Sequence, residues 1–237
     1  GGNIGLPILA QEPLPAGGVY VLELSSYQID LTFSLDCDVA VLLNITPDHL
    51  DRYESFEHYA AAKARLFEMQ NFERSHRLGV PWAVIGVDDQ ASRAIAERFD
   101  PWMAERISAS SYPKKQRDWP NLRGPHNRQN AAAAIAVAQY LGLGPATIDV
   151  GLKSYPGLPH RMERVGETNG VTFINDSKAT NAEAAAPALA AFRAVRWILG
   201  GRAKTAEIDA CLPHLGHVRS AYTIGEAGPM LAELLLP

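Results

Sequence analysis

Four apolar segments of the chain end in polar residues of the kinds that bind phosphate groups and metal ions. These polar residues lie within 23–26, 44–51, 176–181 and 200–204, directly after segments that are typical of buried strands. In open α/β sheets, ligands bind outside the carboxyl ends of the strands. Carboxylate and imidazole side chains at such an edge could hold a hard cation beside phosphate oxygens. The pattern therefore favours a site for an anion and a metal ion.

Each of these residues also has a purely structural interpretation. A strand-end aspartate such as Asp48 or Asp176 is often only the N-cap of the next helix. A single histidine is more often structural or exposed than a metal ligand, and Lys63 alone is typical of a solvated helix face. Four occurrences at equivalent edges favour a site, but they do not identify its reaction.

The glycine pair after the fourth segment does not form a Walker A phosphate loop. In the stretch Gly200 to Thr205, Ala203 stands where that loop requires a glycine before the lysine, and the outer spacing also fails. The glycine pair could still let a ligand approach the backbone closely, and Lys204 could contact an anion there.

The elements that must position these residues alternate between strand and helix. In the first part of the chain, the sequence predicts strands at 19–24, 39–45 and 82–87 and helices at 56–69, 89–99 and 127–141. Strands that are apolar on both faces usually lie in a parallel sheet covered by helices. The predicted fold class is therefore α/β with a central parallel sheet.

Two prolines and a glycine within residues 155–159 interrupt this alternation. We predict a boundary there, between a central domain at 1–157 and an incomplete C-terminal domain at 158–237. In the second domain, the sequence predicts strands at 171–175, 196–199 and 221–224, with helices at 181–192 and from about residue 207. This order is typical of the beginning of a Rossmann-like domain.

Composition excludes several classes of function. The 237 residues carry a formal net charge of −4, which gives no argument for binding nucleic acid or an anionic membrane. The apolar runs are too short for membrane insertion. Two cysteines without a C-x-x-C motif, Cys37 and Cys211, are expected to be reduced thiols in the cytoplasm. The absence of an initial Met and the abrupt end at Pro237 suggest a piece of a longer protein.

Read together, the polar stretches resemble the Mur ligase family. The matching stretches keep the family's order and cover almost the whole chain; they are 1–5, 22–28, 44–53, 61–63, 124–130, 159–163, 175–181 and 199–201. The H-N-x-x-N and P-H-R pieces are shared widely in that family. The runs E-L-S-S-Y-Q at 23–28 and N-D-S-K-A-T-N at 175–181 resemble the member that adds D-glutamate.

The resemblance implies an ATP-dependent ligase of peptidoglycan precursor synthesis. In such an enzyme, ATP phosphorylates the alanine carboxylate of UDP-N-acetylmuramoyl-L-alanine. The amine of D-glutamate then attacks the acyl phosphate, and phosphate leaves. The expected reactants are thus ATP, D-glutamate and the UDP-muramoyl substrate, and the expected oligomeric state is a monomer.

The resemblance also assigns a role to each candidate residue. Glu23 matches a ligand of one Mg²⁺ and His49 a ligand of a second Mg²⁺, while Lys63 matches a lysine that becomes a carbamate. Lys178, like Lys63 and His49, is expected near the reacting centre. The remaining matches are to the nucleotide for Asn130, Arg161 and Asp176, to the muramoyl substrate for Asn3 and Ser25, and to the reacting centre and D-glutamate for Thr180 and Lys204.

The chain departs from the family's pattern in what it lacks. The family's Walker A loop, the N-terminal domain that holds the uridine, and the last part of the C-terminal domain are all absent from this sequence. We therefore expect the isolated chain to be inactive. Two alternatives remain open: a sister ligase that adds another amino acid or acts on folate, and a non-catalytic relative that binds a nucleotide sugar.

Overall fold

The structure is a computed structural model that describes residues 1–47, 52–73, 79–112, 115–202 and 207–236. It divides into two compact units, residues 1–108 with 136–142 and residues 109–135 with 143–237. This division by contacts does not test the domain boundary predicted between residues 157 and 158, which stays a prediction.

The first unit is built on a parallel sheet. Strands β1 (Val39–Leu42), β2 (Trp82–Gly86) and β3 (Ala104–Ile107) pair in the order β1-β2-β3. Around them lie a short 3-10 helix and three α-helices: η1 (Ile8–Ala10), α1 (Ser26–Asp30), α2 (Phe56–Glu68) and α3 (Gln90–Ala96). The predicted α/β class with a parallel sheet is confirmed.

The middle strand β2 forms the centre of this unit's core. Ala83, Val84 and Ile85 are completely buried, as expected for a parallel strand that is covered on both faces. Helix α2 contributes Tyr59 and Phe67 to the same core. Helices α2 and α3 begin at side-chain caps, where Ser55 and Asp89 accept backbone N–H groups of the first turn.

The second unit contains two small sheets. Strands β4 (Glu163–Thr168) and β5 (Val171–Asn175) form an antiparallel hairpin, whereas β6 (Val195–Gly200) and β7 (Val218–Ile224) pair in parallel. Its helical elements are η2 (Lys115–Asp118), α5 (Pro145–Ser154), α6 (Ala182–Ala191), η3 (Asp209–His217) and α7 (Gly228–Leu235). The long helix α4 (Gly124–Tyr140) begins in this unit, and its last turn belongs to the first.

One local prediction is wrong, and two predicted elements are present with details that the sequence did not indicate. Among the described residues, the segment 19–24 pairs only through a single bridge between Gly2 and Glu23, so it does not form a strand. The strand predicted at 171–175 is confirmed as β5, and it pairs with β4 in a hairpin whose turn lies at Asn169 and Gly170. The helix predicted from about residue 207 is present as the 3-10 helix η3.

The state of the two cysteines and the lengths of the described helices can be read directly from the structure. Cys37 and Cys211 are both free thiols, as predicted, and burial raises the pKa of Cys37 to about 11. Among the residues described, no helix has the length and apolar character that crossing a membrane requires.

Candidate active site

The segment at residues 1–3 runs beside Glu23 and fixes its backbone. The Asn3 N–H donates to the Glu23 carbonyl at 2.7 Å, and the Glu23 N–H donates to the Gly1 carbonyl at 3.1 Å. Gly2 has a φ of +87°, and a Cβ at this position would lie 2.2 Å from the Glu23 carbonyl oxygen. The bridge therefore requires glycine, and it brings the predicted substrate residue Asn3 next to the predicted metal ligand Glu23, with both residues exposed.

Ser25 begins helix α1 with a reciprocal cap. Its Oγ accepts the Gln28 backbone N–H at 3.3 Å, while the Gln28 side chain accepts the Ser25 backbone N–H at 3.0 Å. The structural interpretation of a strand-end serine is thus present here. Ser25 is half-buried and lies two residues beyond Glu23. Its predicted contact with the substrate stays a prediction.

Lys63 lies on the middle turn of α2 and is half-buried. Its Nζ stands 5.0 Å from the centre of the Tyr59 ring, one helical turn earlier. Tyr59 in turn packs against Tyr53, with ring centres 5.3 Å apart. An aromatic surface of this kind partly excludes water from the lysine amine, which a purely solvated helix face would not do.

A cluster of polar side chains around Asp30 was not predicted from the sequence. Its carboxylate accepts the Tyr53 hydroxyl at 2.7 Å and lies 3.6 Å from Arg52 and 3.7 Å from Arg65. Arg52 and Tyr53 fall inside the family-like stretch 44–53, so a signal was available. Their partnership with Asp30 could not be read from the sequence, because the partners lie 22 and 23 positions apart.

In the second unit, the P-H-R stretch folds onto the end of β5. The Lys178 N–H donates to the His160 carbonyl at 3.1 Å, and the Met162 N–H donates to Asp176 Oδ1 at 2.9 Å. These bonds bring Arg161 and the strand-end residues Asp176 and Lys178 into one small region. The predicted nucleotide residues Arg161 and Asp176 are therefore neighbours.

The Glu163 carboxylate stabilises the turn at residues 158–163 by accepting two hydrogen bonds. Its Oε2 accepts the His160 backbone N–H at 2.8 Å and the Asn175 side-chain amide at 3.3 Å. The Asn175 amide also lies 2.8 Å from His160 Nδ1. Burial raises the pKa of Asp176, while its bond from the Met162 N–H and the nearby Arg161 act in the opposite direction.

A third group of residues surrounds the start of α4. Asn130 is exposed and donates to the side chain of Asn127 at 3.2 Å, one turn earlier. An open cavity of about 350 Å³ at this helix end is lined by Arg117, Arg123 and Arg128. Three guanidinium groups beside a helix N-terminus suit an anion. The exposed amide of Asn130 lies within the same first turns of the helix.

The glycine pair at the end of β6 allows the backbone of β7 to approach closely, whereas the predicted approach of a ligand stays a prediction. Gly200 has a φ of +138°, and a Cβ there would lie 2.0 Å from the Ile224 carbonyl oxygen at the end of β7. Gly201 then donates its N–H to the same carbonyl at 2.9 Å. Lys204, the predicted anion contact beyond this pair, lies outside the described residues.

The predicted site is thus only partly assembled by the described residues. His49 also lies outside them, and Thr180 is exposed. Within the described part of the chain, no three His, Cys, Asp or Glu side chains gather closely enough to hold a metal ion. The roles assigned to the individual residues therefore remain predictions.

Comparison with known proteins decides the family. The model of the Mur ligase middle domain matches residues 2–119, and that of the Mur ligase glutamate ligase domain matches residues 160–235. The chain belongs to the Mur ligase family. The two Mur ligase matches leave residues 120–159 between them unassigned.

Curated Mur ligases of high identity match almost the whole chain. The UDP-N-acetylmuramoylalanine--D-glutamate ligase of Zymomonas mobilis subsp. mobilis is 58% identical over 239 residues, covering 99% of this chain and 52% of the relative. The same-named protein of Novosphingobium aromaticivorans is 55% identical over 241 residues, covering 100% of this chain and 53% of the relative. The chain therefore spans about half the length of the relatives it matches.

Solved structures agree on the fold. The chain resembles MurF from Acinetobacter baumannii with a TM-score of 0.58 at 17% identity, covering 90% of this chain and 57% of that one. It resembles the apo form of L. casei FPGS with a TM-score of 0.55 at 18% identity, covering 80% and 50%. At this level of identity the similarity concerns the fold alone.

Proposed function

We propose that this chain is part of a ligase that joins D-glutamate to UDP-N-acetylmuramoyl-L-alanine with ATP, in the cytoplasmic synthesis of peptidoglycan precursors. The observation that carries the proposal is the 55–58% identity, over nearly the whole chain, to ligases named for this reaction. Both thiols are free, with Cys37 half-buried and Cys211 buried, which suits a reducing compartment. We propose a monomer as the working state.

The chemistry requires positive charge where two anions meet. Phosphoryl transfer to a carboxylate brings the terminal phosphate of ATP against the alanine carboxylate, and positioned cations must offset their repulsion. We assign this role to Lys178, which is exposed and follows the end of β5 by three residues. We assign Thr180 and Lys204 to the reacting centre and the carboxylates of D-glutamate.

The nucleotide would be held by the second unit. Arg161 lies in the turn that precedes β4, Asp176 follows β5 and accepts the Met162 N–H of that turn, and Asn130 lies on the first turns of α4. The arginine-lined cavity beside that helix end provides positive charge for phosphates. In the first unit, Asn3 and Ser25 flank Glu23 and are proposed to contact the muramoyl substrate.

Two magnesium ions are proposed beside Glu23 and beside Lys63. Magnesium prefers oxygen ligands, and when bound it would offset the phosphate charges. Glu23 offers an exposed carboxylate on a backbone fixed by the bridge to Gly2, so it fits such an ion. A lysine carbamate at Lys63 would replace a repelled ammonium by two oxygen donors, with His49 as the neighbouring ligand.

The proposal is tested by amino-acid selection in the full-length ligase that carries this sequence. Phosphate release is measured with ATP and the UDP-muramoyl substrate, adding D-glutamate, L-glutamate, L-lysine or no amino acid. We expect release that depends on D-glutamate. Equal release with L-glutamate or L-lysine would assign the chain to a sister ligase. No release with any amino acid, from protein that binds ATP, would favour a non-catalytic relative.

A further inference from the structure

Asp30 is the point at which three chain segments of the first unit are joined. The first segment, 23–30, ends in Asp30 itself. The second contributes Arg52 and Tyr53, with the Tyr53 hydroxyl 2.7 Å from Asp30 Oδ2. The third is helix α2, from which Arg65 reaches Asp30 Oδ1 at 3.7 Å.

Arg65 strengthens the same junction through the backbone. Its Nη1 donates to the carbonyls of Ile29 and Asp30 at 3.3 and 3.0 Å, and its Nη2 donates to the Thr32 carbonyl at 3.0 Å. The last carbonyls of any helix lack partners within that helix. One guanidinium thus caps the C-terminal end of α1 from α2 and places the two helices in a fixed relation.

Arg52 and Tyr53 close the junction on its other side. The Arg52 guanidinium lies 4.3 Å above the Tyr27 ring of α1, and the Tyr27 and Tyr53 rings stack with centres 6.4 Å apart. Burial raises the pKa of Tyr53, so its hydroxyl keeps the proton that it donates to Asp30. An ionised carboxylate only accepts hydrogen bonds, so a phenol and two guanidinium groups complement Asp30.

Two of the joined segments also carry a proposed metal residue. Glu23 precedes α1, and Lys63 lies two positions before Arg65 on α2. Helix α1 has only five residues, so it holds its place through its contacts rather than its own stability. With Ser25 capping one end and Arg65 the other, a shift at Asp30 displaces the helix and the Glu23 segment before it.

We infer that Asp30, acting with Arg65 and Tyr53, is a positioning residue that sets the relative placement of the segment carrying Glu23 and the helix carrying Lys63, the two described residues proposed to bind metal. This inference rests on the proposed function, since it concerns the metal residues of that reaction. Groups that hydrogen-bond a metal ligand directly commonly change metal affinity by about 10- to 100-fold when they are replaced, and Asp30, which acts through the segments it joins, is expected at the lower end of that range.

Asp30→Asn in the full-length ligase tests the inference. It keeps the side chain's size but turns one accepting oxygen into an amide that faces the donors of Tyr53 or Arg65. The matched control is Glu68→Gln, on the same helix as Lys63, which removes the ion pair between Glu68 and Arg98 at 3.2 Å. The readouts are Mn²⁺ affinity by electron paramagnetic resonance with a non-hydrolysable ATP analogue, and the thermal unfolding midpoint.

We expect Asp30→Asn to weaken Mn²⁺ binding by about tenfold at a temperature where it is fully folded, and Glu68→Gln to leave it unchanged. An unchanged Mn²⁺ affinity in folded Asp30→Asn protein would overturn the inference, even if its unfolding midpoint falls. If Asp30→Asn does not fold, Tyr53→Phe decides, because it removes only the hydroxyl. Weaker Mn²⁺ binding in that variant supports the inference, and normal binding overturns it.

These Mn²⁺ measurements separate the inference from the proposed function. Wild-type phosphate release with D-glutamate tests the reaction, whereas the difference in Mn²⁺ affinity between wild type and variant tests the junction. A wild type that binds Mn²⁺ but does not respond to D-glutamate would overturn the reaction alone.

Discussion

The junction around Asp30 and the turn at residues 158–163 hold candidate residues by opposite means. At the junction, side chains from distant segments reach across, and Arg65 alone contacts three backbone carbonyls. At the turn, backbone N–H groups of Met162 and Lys178 make the connections to the end of β5. His160 and Met162 adopt left-handed φ values of 62° and 48°, a conformation that costs about 1–3 kcal/mol each in a residue other than glycine.

This difference predicts different responses to substitution. The junction depends on the identity of a few side chains, so single replacements should loosen it. The turn is held by one bond between backbone groups and by two carboxylates, Asp176 and Glu163, that accept backbone N–H groups, so substitutions at its other positions should affect chemistry more than local stability.

Lys63→Ala in the full-length ligase should abolish turnover, because it removes the proposed carbamate oxygens that hold a magnesium ion. A short carboxylate added to the buffer should restore part of the activity by occupying those positions. Lys153→Ala serves as control, since Lys153 is a helical lysine in an ion pair with Asp149. Full activity of Lys63→Ala, or a loss that no carboxylate relieves, would contradict the carbamate role.

Lys178→Ala should lower turnover by about 100-fold or more, because one preorganised charge at a reacting centre contributes about that much. Lys178 is exposed and its backbone N–H keeps the bond to His160, so the thermal unfolding midpoint should stay unchanged. Steady-state phosphate release and a thermal melt together check this. Near-normal turnover, or early melting, would assign Lys178 to structure.

Arg65→Ala should lower the local opening free energy of α1 by about 2 kcal/mol, because three carbonyls lose a charged donor. Amide hydrogen exchange within α1 measures this locally. Arg98→Ala is the matched control, since Arg98 makes an exposed ion pair with Glu68 that is worth less than about 1 kcal/mol. Equal exchange in the two variants would mean that the junction is not held by Arg65.

Glu163→Gln should lower the local opening free energy at the His160 amide, measured by hydrogen exchange, by about 1 kcal/mol. The reason is that a neutral amide oxygen is a poorer acceptor than a carboxylate. The effect should be smaller than that of Arg65→Ala, since Lys178 still binds the His160 carbonyl. Glu167→Gln, which removes an exposed pair with Arg164 on the same strand, is the control. If Glu163→Gln lowers the local opening free energy by more than Arg65→Ala does, the contrast between the two regions is contradicted.

The smallest expected effect concerns pH. Burial raises the pKa of Asp176 above its ordinary value of 3.8, so the folded protein binds a proton that the unfolded chain has already lost. Stability from this group is therefore greatest below the ordinary pKa and falls as pH rises through the raised pKa. The unfolding midpoint of wild type should therefore decline relative to that of Asp176→Asn as pH rises above the ordinary pKa of 3.8. A difference independent of pH would show that Asp176 does not titrate in this way.

The sequence predicted much of the framework because that framework depends on local patterns. The apolar run at 82–87 and the alanine-rich helix at 56–69 appear as β2 and α2. The strands predicted at 171–175, 196–199 and 221–224 appear as β5, β6 and β7. Local patterns could not show that residues 19–24 would lack a full strand partner, since pairing depends on a separate segment.

The junction escaped prediction for the same physical reason. Asp30 and Arg65 are 35 positions apart, and neither has an unusual local context. Ser25 illustrates a different limit, because capping a helix and contacting a substrate call for the same residue at the same strand end. Only the geometry at Gln28 shows that the capping role is in use.

The most direct test of the proposed reaction follows the oxygen atoms of the substrate. The full-length ligase is supplied with ATP, D-glutamate and UDP-N-acetylmuramoyl-L-alanine that carries ¹⁸O in both oxygens of the alanine carboxylate. If the carboxylate is activated as an acyl phosphate, attack by the amine breaks the bond between the carbonyl carbon and the bridging oxygen. Mass spectrometry should then find one ¹⁸O in the released phosphate and one in the new amide. Unlabelled phosphate, or product formed without D-glutamate, would contradict this account.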